Sequence, residues 1–305
     1  SFEDKPINFN AWDIEAYYTE KVWEIDDLRS IEVIAQGPVL GALRIKRNYL
    51  RSTIRQDIVI YNDIDRIDFK TEIDWHEQEI LLKASFPVDI NAVQAAYEIQ
   101  YGHIERNTHE NTSWDIAKFE VSMHKWLDLS EGDYGVSLLN DCKYGGDVHG
   151  NTLRLTLLKS GINPFPDADK EIHEFTYSLY PHRGNRKEGG TIAKAYALNN
   201  PFIARPVPAQ KGNLPGGYSF VSVDNKNIII EAVKKAESGN GYIIRAYESE
   251  NTRGEGVLTF QRNLKSVSQC SMLEAEEESL PVQRNTVRTF FKPFEIKTLK
   301  VLFEH

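Results

Sequence analysis

The first third of the chain alternates apolar and polar residues with the period of a β-strand. Between residues 31 and 88 this alternation recurs in run after run, so that each run has one apolar face and one charged face. Turn signals separate the runs at the spacing of hairpins, at 37–38 (Gly-Pro), 62–63 (Asn-Asp) and 75–78 (Trp-His-Glu-Gln). The pattern predicts an antiparallel sheet with one buried face.

The same strand pattern continues to residue 179, and long helical periodicity is missing. We predict further strands at 95–104, 116–121, 134–139, 153–158 and 173–179. Two short helices are predicted as local coverings, one over 10–18 with Asn10 as its N-cap and one over 191–198 that ends before Pro201. These strands are enough for one large antiparallel β-sandwich over residues 1–205.

A segment rich in Pro and Gly interrupts this pattern. At 206–217 the apolar periodicity lapses, which is typical of a linker. Beyond it, apolar runs predict the strands of a small β-sandwich over 218–305, at 218–223, 227–233, 241–248, 256–261 and 286–304. The expected fold class is therefore all-β, with a large sandwich followed by a small one.

Composition and charge narrow the class of protein. With 41% apolar and 27% charged residues, the 305-residue chain has an ordinary globular composition. No run approaches the roughly 20 apolar residues of a transmembrane helix, and the N-terminus lacks a signal-peptide pattern. A net charge of −9 disfavours nucleic acid and membrane as partners. Two distant cysteines, Cys142 and Cys270, indicate reduced thiols, so we expect a cytoplasmic protein.

The polar segment at 101–120 holds the most suggestive side chains for ligand binding. Arg106, His109, Trp114 and Asp115 lie between two patterned strands. An aromatic face beside a carboxylate is a common way to hold a pyranose, because the ring C–H groups stack and the hydroxyls bond to the acid. Two alternatives stay open. Trp114 equally suits a core position, and the polar run at 107–113 suits Asx and Ser/Thr turns.

The loop at 140–147 (Asn-Asp-Cys-Lys-Tyr-Gly-Gly-Asp) is the second candidate. Its two adjacent glycines allow a tight loop that exposes Asp141, Lys143 and Tyr144 to a ligand or to a neighbouring domain. A plain hairpin with a solvated lysine and tyrosine explains the same residues.

We predict no catalytic centre and no metal site within the chain itself. His103 and His109 flank Arg106, but they lack the spacing of zinc ligands. A glycosidase needs two carboxylates about 5 to 9.5 Å apart, and a sequence with 45 acidic residues singles out no pair. Nucleophile elbows, phosphate loops and dinucleotide motifs are absent.

Six motifs in a fixed order resemble the C-terminal β region of glycoside hydrolase family 38 α-mannosidases, of the bacterial and cytosolic type. Any one motif is weak evidence, whereas the ordered series is specific. The motifs are 10–14 (Asn-Ala-Trp-Asp-Ile), 74–77 (Asp-Trp-His-Glu), 101–106 (Tyr-Gly-His-Ile-Glu-Arg), 111–115 (Asn-Thr-Ser-Trp-Asp), 134–145 (Tyr-Gly-Val-Ser-Leu-Leu-Asn-Asp-Cys-Lys-Tyr-Gly) and 174–182 (Glu-Phe-Thr-Tyr-Ser-Leu-Tyr-Pro-His).

The resemblance implies a galactose mutarotase-like supersandwich that packs on a catalytic barrel lying upstream of Ser1 in a longer protein. The longer protein would be a zinc-dependent retaining α-mannosidase that hydrolyses terminal α-D-mannose. Its carboxylate nucleophile and its zinc ligands would belong to the barrel, so the resemblance assigns no catalytic residue, metal ligand or cofactor to this chain, which we expect to be inactive alone. We expect its loops to form the rim of the sugar site, with these candidates: Arg106, His109, Trp114, Asp115, Asp141, Lys143 and Tyr144.

The implied partners are α-mannosides or mannose-containing oligosaccharides and the protein's own barrel. Without the barrel, we expect an exposed apolar patch, which a homo-oligomer would cover. Two other functions remain open. The chain would be a stand-alone carbohydrate-binding module if the Trp114 region binds sugar by itself. It would be a mutarotase-like aldose epimerase if His109 or His182 works as an acid with a carboxylate base.

Overall fold

The computed structural model describes residues 1–212 and 215–304 and divides into two compact units. The first unit comprises Ser1–Ile99 and Ile104–Phe202, and the second comprises Gln100–His103 and the chain from Ile203 onward. Residues 201–212, which include the start of the predicted linker, form neither helix nor strand. Asn213 and Leu214, also in that linker, lie outside the described residues. No helix in the described ranges is both long and apolar enough to cross a membrane.

The large sandwich consists of two antiparallel sheets. One has five strands in the order β1-β6-β13-β12-β9, and the other has nine in the order β2-β3-β4-β5-β14-β11-β10-β7-β8. The strands are β1 Phe2–Glu3, β2 Leu28–Gln36, β3 Leu40–Tyr49, β4 Ser52–Tyr61, β5 Ile67–Asp74, β6 Ile80–Pro87, β7 Gln94–Ile99, β8 Gly102–Asn107, β9 Val121–Ser122, β10 Trp126–Ser130, β11 Tyr134–Asn140, β12 Gly145–His149, β13 Thr152–Lys159 and β14 Ile172–Arg183.

The core of this unit lies between the two sheets. Leu82 and Leu155 of the five-stranded sheet join one apolar cluster with Ile73, Leu138 and Phe175 of the nine-stranded sheet. Because side chains alternate along a strand, each sheet contributes one apolar face to this cluster. The prediction of a large antiparallel sandwich is confirmed.

The second unit is a smaller antiparallel sandwich. Its sheets have the orders β15-β18-β22-β21 and β16-β17-β23-β19-β20. Ile244 and Leu299 from one sheet pack in one cluster with Leu258 and Val287 from the other, so the predicted small sandwich is confirmed as well. Its strands are β15 Val221–Val223, β16 Ile228–Lys235, β17 Tyr242–Glu248, β18 Gly254–Phe260, β19 Leu264–Cys270, β20 Glu276–Leu280, β21 Val282–Gln283, β22 Thr286–Phe291 and β23 Ile296–Phe303.

The helical predictions are half right. The predicted helix at 191–198 is present as α3 (Thr191–Asn199), after two one-turn helices, α1 (Ser113–Ile116) and α2 (Arg186–Gly189). The predicted helix at 10–18 is wrong, because Asn10 is buried and accepts a hydrogen bond from the backbone of Ile162 instead of capping a helix. Only the short 3-10 turn Tyr18–Glu20 forms there.

Two strand boundaries also differ from the prediction. The run at 95–104 is a hairpin, β7 and β8, because Tyr101 adopts a positive φ of 57° that reverses the chain. The predicted strand at 116–121 is wrong, since α1 ends at Ile116 and β9 begins only at Val121.

The motif at 74–77 is structural. Trp75 is completely buried and stacks on Tyr49, with 5.7 Å between ring centroids. Glu77 is 4% exposed and accepts hydrogen bonds from the backbone N–H of Arg51 and from Ser52 Oγ, both at 2.8 Å. These contacts fix the corner between β5 and β6, so neither residue is available to a substrate.

One end of the nine-stranded sheet leaves part of its inner face uncovered. Ile54 of β4 belongs to the core cluster, and Ile60 lies on the same face of the same strand. Cross-strand pairing puts Leu43 and Val33 on this face too, through the pairs Leu43–Ile58 and Val33–Leu43. Ile60, Leu43 and Val33 are 56%, 41% and 65% exposed, so an apolar surface extends beyond the sandwich core.

Candidate functional site

The structure brings three of the seven predicted rim residues into one polar recess. We call it the Arg106 recess, an open cavity of about 320 Å³. It is formed where β8, the loop before α1 and strand β12 meet. The residues that line it include Tyr97, Arg106, His109, Asp115, Asp147 and His149.

Asp115 is held in the recess by the local structure of α1. Thr112 is the N-cap of this helix, and its hydroxyl both accepts from the Asp115 N–H and donates to Asp115 Oδ2 at 2.7 Å. Asn107 Nδ2 donates to Oδ1 at 3.0 Å. The hydrogen bonds from Thr112 and Asn107 lower the pKa of the Asp115 carboxyl, so it is ionised at neutral pH. The polar run at 107–113 therefore does form local turns and caps.

Asp147 is held by two cations, the buried Lys83 and the partly buried Arg154. Its Oδ2 lies 2.7 Å from Lys83 Nζ, and its Oδ1 lies 2.5 Å from Arg154 Nε. Lys83 is also 2.7 Å from Glu120. Burial by itself disfavours the charged lysine, but the two carboxylates outweigh it and leave the pKa of Lys83 raised. A buried ion network thus supports the floor of the recess.

Arg106 and the two histidines complete the recess. The guanidinium carbon of Arg106 lies 4.8 Å from the centre of the Tyr97 ring, and its Nη1 is buried with no hydrogen-bond partner in the described part of the chain. His109 Nδ1 lies 3.8 Å from Asp115 Oδ2. His149 Nδ1 lies 3.0 Å from Glu110, at the mouth.

Sequence reasoning missed Tyr97 and His149 as members of this recess. The signal for His149 is its position two residues after Asp147 on a strand, which puts both side chains on one face. Tyr97 lies on β7 and Arg106 on β8, so the two meet through the hairpin that the sequence pattern predicted as a single strand.

The remaining candidates lie elsewhere. Trp114 is 81% exposed, so the alternative of a core tryptophan is wrong. Asp141 Oδ2 accepts a hydrogen bond from the Thr176 N–H at 2.9 Å and lines a separate charged trough beside Arg55 and Glu72. Lys143 Nζ lies 4.4 Å from the centre of the Phe175 ring. Tyr144 is 52% exposed beside His124.

The adjacent glycines of this loop have a different role from the one predicted. Gly145 and Gly146 begin strand β12 instead of forming the loop. A Cβ at Gly145 would lie 2.3 Å from Glu120 Oε1, and one at Gly146 would lie 3.0 Å from Met123 Sδ. The missing side chains therefore let Glu120 and the core approach the strand.

His182 is unsuited to act on a substrate as an epimerase acid. It is 7% exposed, and its Nε2 lies 2.8 Å from Asp128 Oδ2 in a buried cluster with Ser137 and Thr191. Gly189 covers the ring so closely that a Cβ there would lie 2.5 Å from His182 Cγ.

Within residues 1–212 and 215–304, no three His, Cys, Asp or Glu side chains converge as a metal site would require. Both cysteines are free thiols, Cys142 exposed and Cys270 buried.

We predict that Cys142 reacts slowly with alkylating agents although it is exposed. Partial desolvation, together with the hydrogen bond and negative charge of Asp141, raises the pKa of the Cys142 thiol from 9.0 to about 11. The thiolate fraction at pH 8 is then about 100-fold smaller than for an ordinary cysteine. The rate of Cys142 alkylation by iodoacetamide between pH 7 and 11, in a Cys270→Ser variant, measures the pKa of the thiol.

Asp141→Asn is the matched control, because the amide keeps an acceptor for Thr176 but removes the charge. We expect it to speed alkylation at pH 8 several-fold. A titration midpoint near 9 in the parent chain would contradict the assignment.

Comparison with known proteins identifies the family. Residues 1–167 match the model of the glycosyl hydrolases family 38 C-terminal domain, and residues 227–299 match that of the family 38 C-terminal β-sandwich domain. Alpha-mannosidase 2C1 of Mus musculus is 36% identical over 99% of this chain and 30% of its own length. Alpha-mannosidase G of Dictyostelium discoideum is 36% identical over 99% of this chain and 28% of its own length.

A solved structure agrees on the fold. An alpha-mannosidase from Enterococcus faecalis V583 superposes with a TM-score of 0.76 at 17% identity, covering 92% of this chain and 35% of that one. The chain thus spans about 30% of the length of the curated relatives it matches. Since the first family model covers more than half of the chain and the second covers most of the small sandwich, this chain belongs to glycosyl hydrolase family 38 and corresponds to the C-terminal region of that family.

Proposed function

We propose that the chain is the non-catalytic C-terminal region of a zinc-dependent retaining α-mannosidase, whose full-length form hydrolyses terminal α-D-mannose residues. One observation carries this proposal. Relatives named α-mannosidase match 99% of this chain, whereas the matched region makes up only 28 to 30% of each relative. The relatives therefore hold most of their length outside the region shared with this chain, and the proposal assigns the catalytic barrel to that remainder.

The zinc ion is assigned to the barrel for a structural reason. Zinc sites take three or four convergent protein ligands, and the described side chains of this chain offer no such convergence. The Asp115 and Asp147 carboxylates are already engaged by Thr112 and by Lys83. We therefore derive no catalytic step through zinc from these residues, and we assign the nucleophile to the barrel as well.

The uncovered inner face of the nine-stranded sheet is the proposed contact with the barrel. Val33, Leu43 and Ile60 expose apolar surface next to the sandwich core. An exposed apolar patch of this kind is typical of a surface that another domain covers. In the isolated chain, a second copy would cover the same face and give a homo-oligomer.

The seven rim candidates divide into two groups under this proposal. Arg106, His109 and Asp115 line the Arg106 recess, with the exposed Trp114 next to Asp115 in α1, and Asp141, Lys143 and Tyr144 belong to the loop before β12. We propose that both groups face mannosides at the rim of the barrel's site. A cytoplasmic location is also proposed, on the basis of the free thiols Cys142 and Cys270.

The test is hydrolysis of 4-nitrophenyl α-D-mannoside by this chain and by a polypeptide that carries the preceding barrel. We expect the isolated chain to be inactive with or without added zinc, and the longer polypeptide to be active. Val33→Glu in the longer polypeptide should lower its stability or activity, whereas Val207→Glu, at a valine of similar exposure, should not. Activity in the isolated chain would overturn the proposal.

A further inference from the structure

The Arg106 recess contains a buried hydrogen-bond donor, Arg106 Nη1, that has no acceptor among the described residues. Arg106 is half-buried over the Tyr97 ring, and its Nη1 has lost water without gaining a protein acceptor within the described residues. Guanidinium groups stay protonated in proteins. Native proteins rarely leave a buried donor unpaired, so such a group indicates an acceptor that is supplied from outside.

The walls of the recess define the chemistry of that acceptor. Asp115 accepts from Asn107 and Thr112, and Asp147 is paired with Lys83 and Arg154. A carboxylate has about four acceptor positions, so each still has capacity toward the recess. Charges of both signs surround the recess, Asp115 and Asp147 on one side of the balance and Arg106, Lys83 and Arg154 on the other, so neither an anion nor a cation is favoured over a neutral group. A neutral hydroxyl can accept from Arg106 and at the same time donate to one of the two carboxylates.

The shape of the surface extends this inference from one hydroxyl to a ring. The base of the recess has room for roughly one water-sized group. The recess shares His109 and His149 with a wide depression that opens to solvent. Ile90, Ala92 and Val93 line that depression and offer apolar contact to ring C–H groups.

We infer that the Arg106 recess and the adjoining depression form a binding site for a neutral polyhydroxylated ligand. One hydroxyl of the ligand enters the recess, accepts from Arg106 Nη1 and donates to Asp115 or Asp147, while the rest of the ring lies in the depression between His109 and His149. The choice of an α-mannoside as this ligand rests on the proposed function. The site itself rests on the geometry of this chain.

In the experiment, the 305-residue chain is titrated separately with methyl α-D-mannoside, myo-inositol and sodium acetate. Binding is measured by calorimetry and located by the amide shifts in a TROSY spectrum. We expect methyl α-D-mannoside to bind in the millimolar range and to shift amides at His109, Glu110, His149 and Gly150. Arg106→Gln should weaken binding at least tenfold. Arg183→Gln, at an exposed arginine of the same unit, should leave it unchanged.

Each outcome decides the inference. If Arg106→Gln unfolds, the amide shifts of the unmodified chain still locate the ligand. Binding of acetate alone, shifts confined to other surfaces, or no binding at all would overturn the inference, and the last result would mean that the recess holds only a water. If the polyols bind but the longer polypeptide does not hydrolyse mannosides, the site stands and the proposed function fails. If that polypeptide is active but no polyol binds to this chain, the proposed function stands and the binding site is refuted.

Discussion

Lys83→Met is expected to destabilise the first unit by about 3–5 kcal/mol. The Lys83 side chain is 1% exposed and lies 2.7 Å from both Glu120 and Asp147. Methionine preserves the aliphatic stem but removes the charge, so Glu120 and Asp147 lose their shared cation, while Asp147 keeps its pair with Arg154. Breaking a buried pair from one side is costly, because the remaining charge has lost its solvation and its partner.

The pH dependence of this effect has a defined sign. The pKa of Lys83 is raised in the folded chain, since the carboxylates outweigh burial. The stabilisation is therefore fully present below the pKa of an ordinary lysine and is lost only as the pH rises through the raised value. From about pH 6 to about pH 9, Lys83 should stay protonated in the parent chain and keep its full stabilising effect.

Tryptophan fluorescence during urea unfolding measures this effect for the first unit alone. All five tryptophans, the last of which is Trp126, belong to that unit. Lys46→Met is the matched control at an exposed strand position and should change the free energy of unfolding by less than about 0.5 kcal/mol. Adding Glu120→Gln to Lys83→Met should recover part of the loss. Equal effects at Lys83 and Lys46 would refute the role of the ion network.

The sandwich architecture could be predicted from the sequence because it follows from local patterns. Alternation along 67–74 marks β5, and the Gly-Pro and Asn-Asp pairs mark turns whose positions the structure retains. The helix predicted from Asn10 failed for a nonlocal reason. The same amide that would cap a helix is used instead by the backbone of Ile162, some 150 residues away in sequence.

The candidate site could be predicted only in part, because some of its contacts are also nonlocal. Asp115 and its cap lie within one short segment, so their spacing in the sequence already indicates the contact. The recess becomes a site only because β12 brings Asp147 and His149 beside β8, and because Lys83 on β6 neutralises Asp147. These pairings depend on sheet order, which alternation along a strand does not encode.

Asp128→Ala is expected to cost the first unit about 3–5 kcal/mol, through loss of hydrogen bonds alone. Asp128 is 2% exposed and accepts from Ser130 Oγ at 2.5 Å, Ser137 Oγ at 2.7 Å and His182 Nε2 at 2.8 Å. Each of these buried groups would lose its acceptor, and an unsatisfied buried polar group costs about 1–3 kcal/mol.

Asp133→Ala provides the control, because Asp133 lies five residues away in the exposed turn between β10 and β11. It should shift the unfolding midpoint little, whereas Asp128→Ala should lower it markedly in the same fluorescence assay. Asp128→Asn should fall between the two, since its amide oxygen can still accept up to two of the three bonds. If Asp128→Ala were as stable as Asp133→Ala, the cluster around His182 would be dispensable for folding. The burial of this cluster would then need a functional explanation, and the hypothesis that His182 acts as an epimerase acid would be supported again.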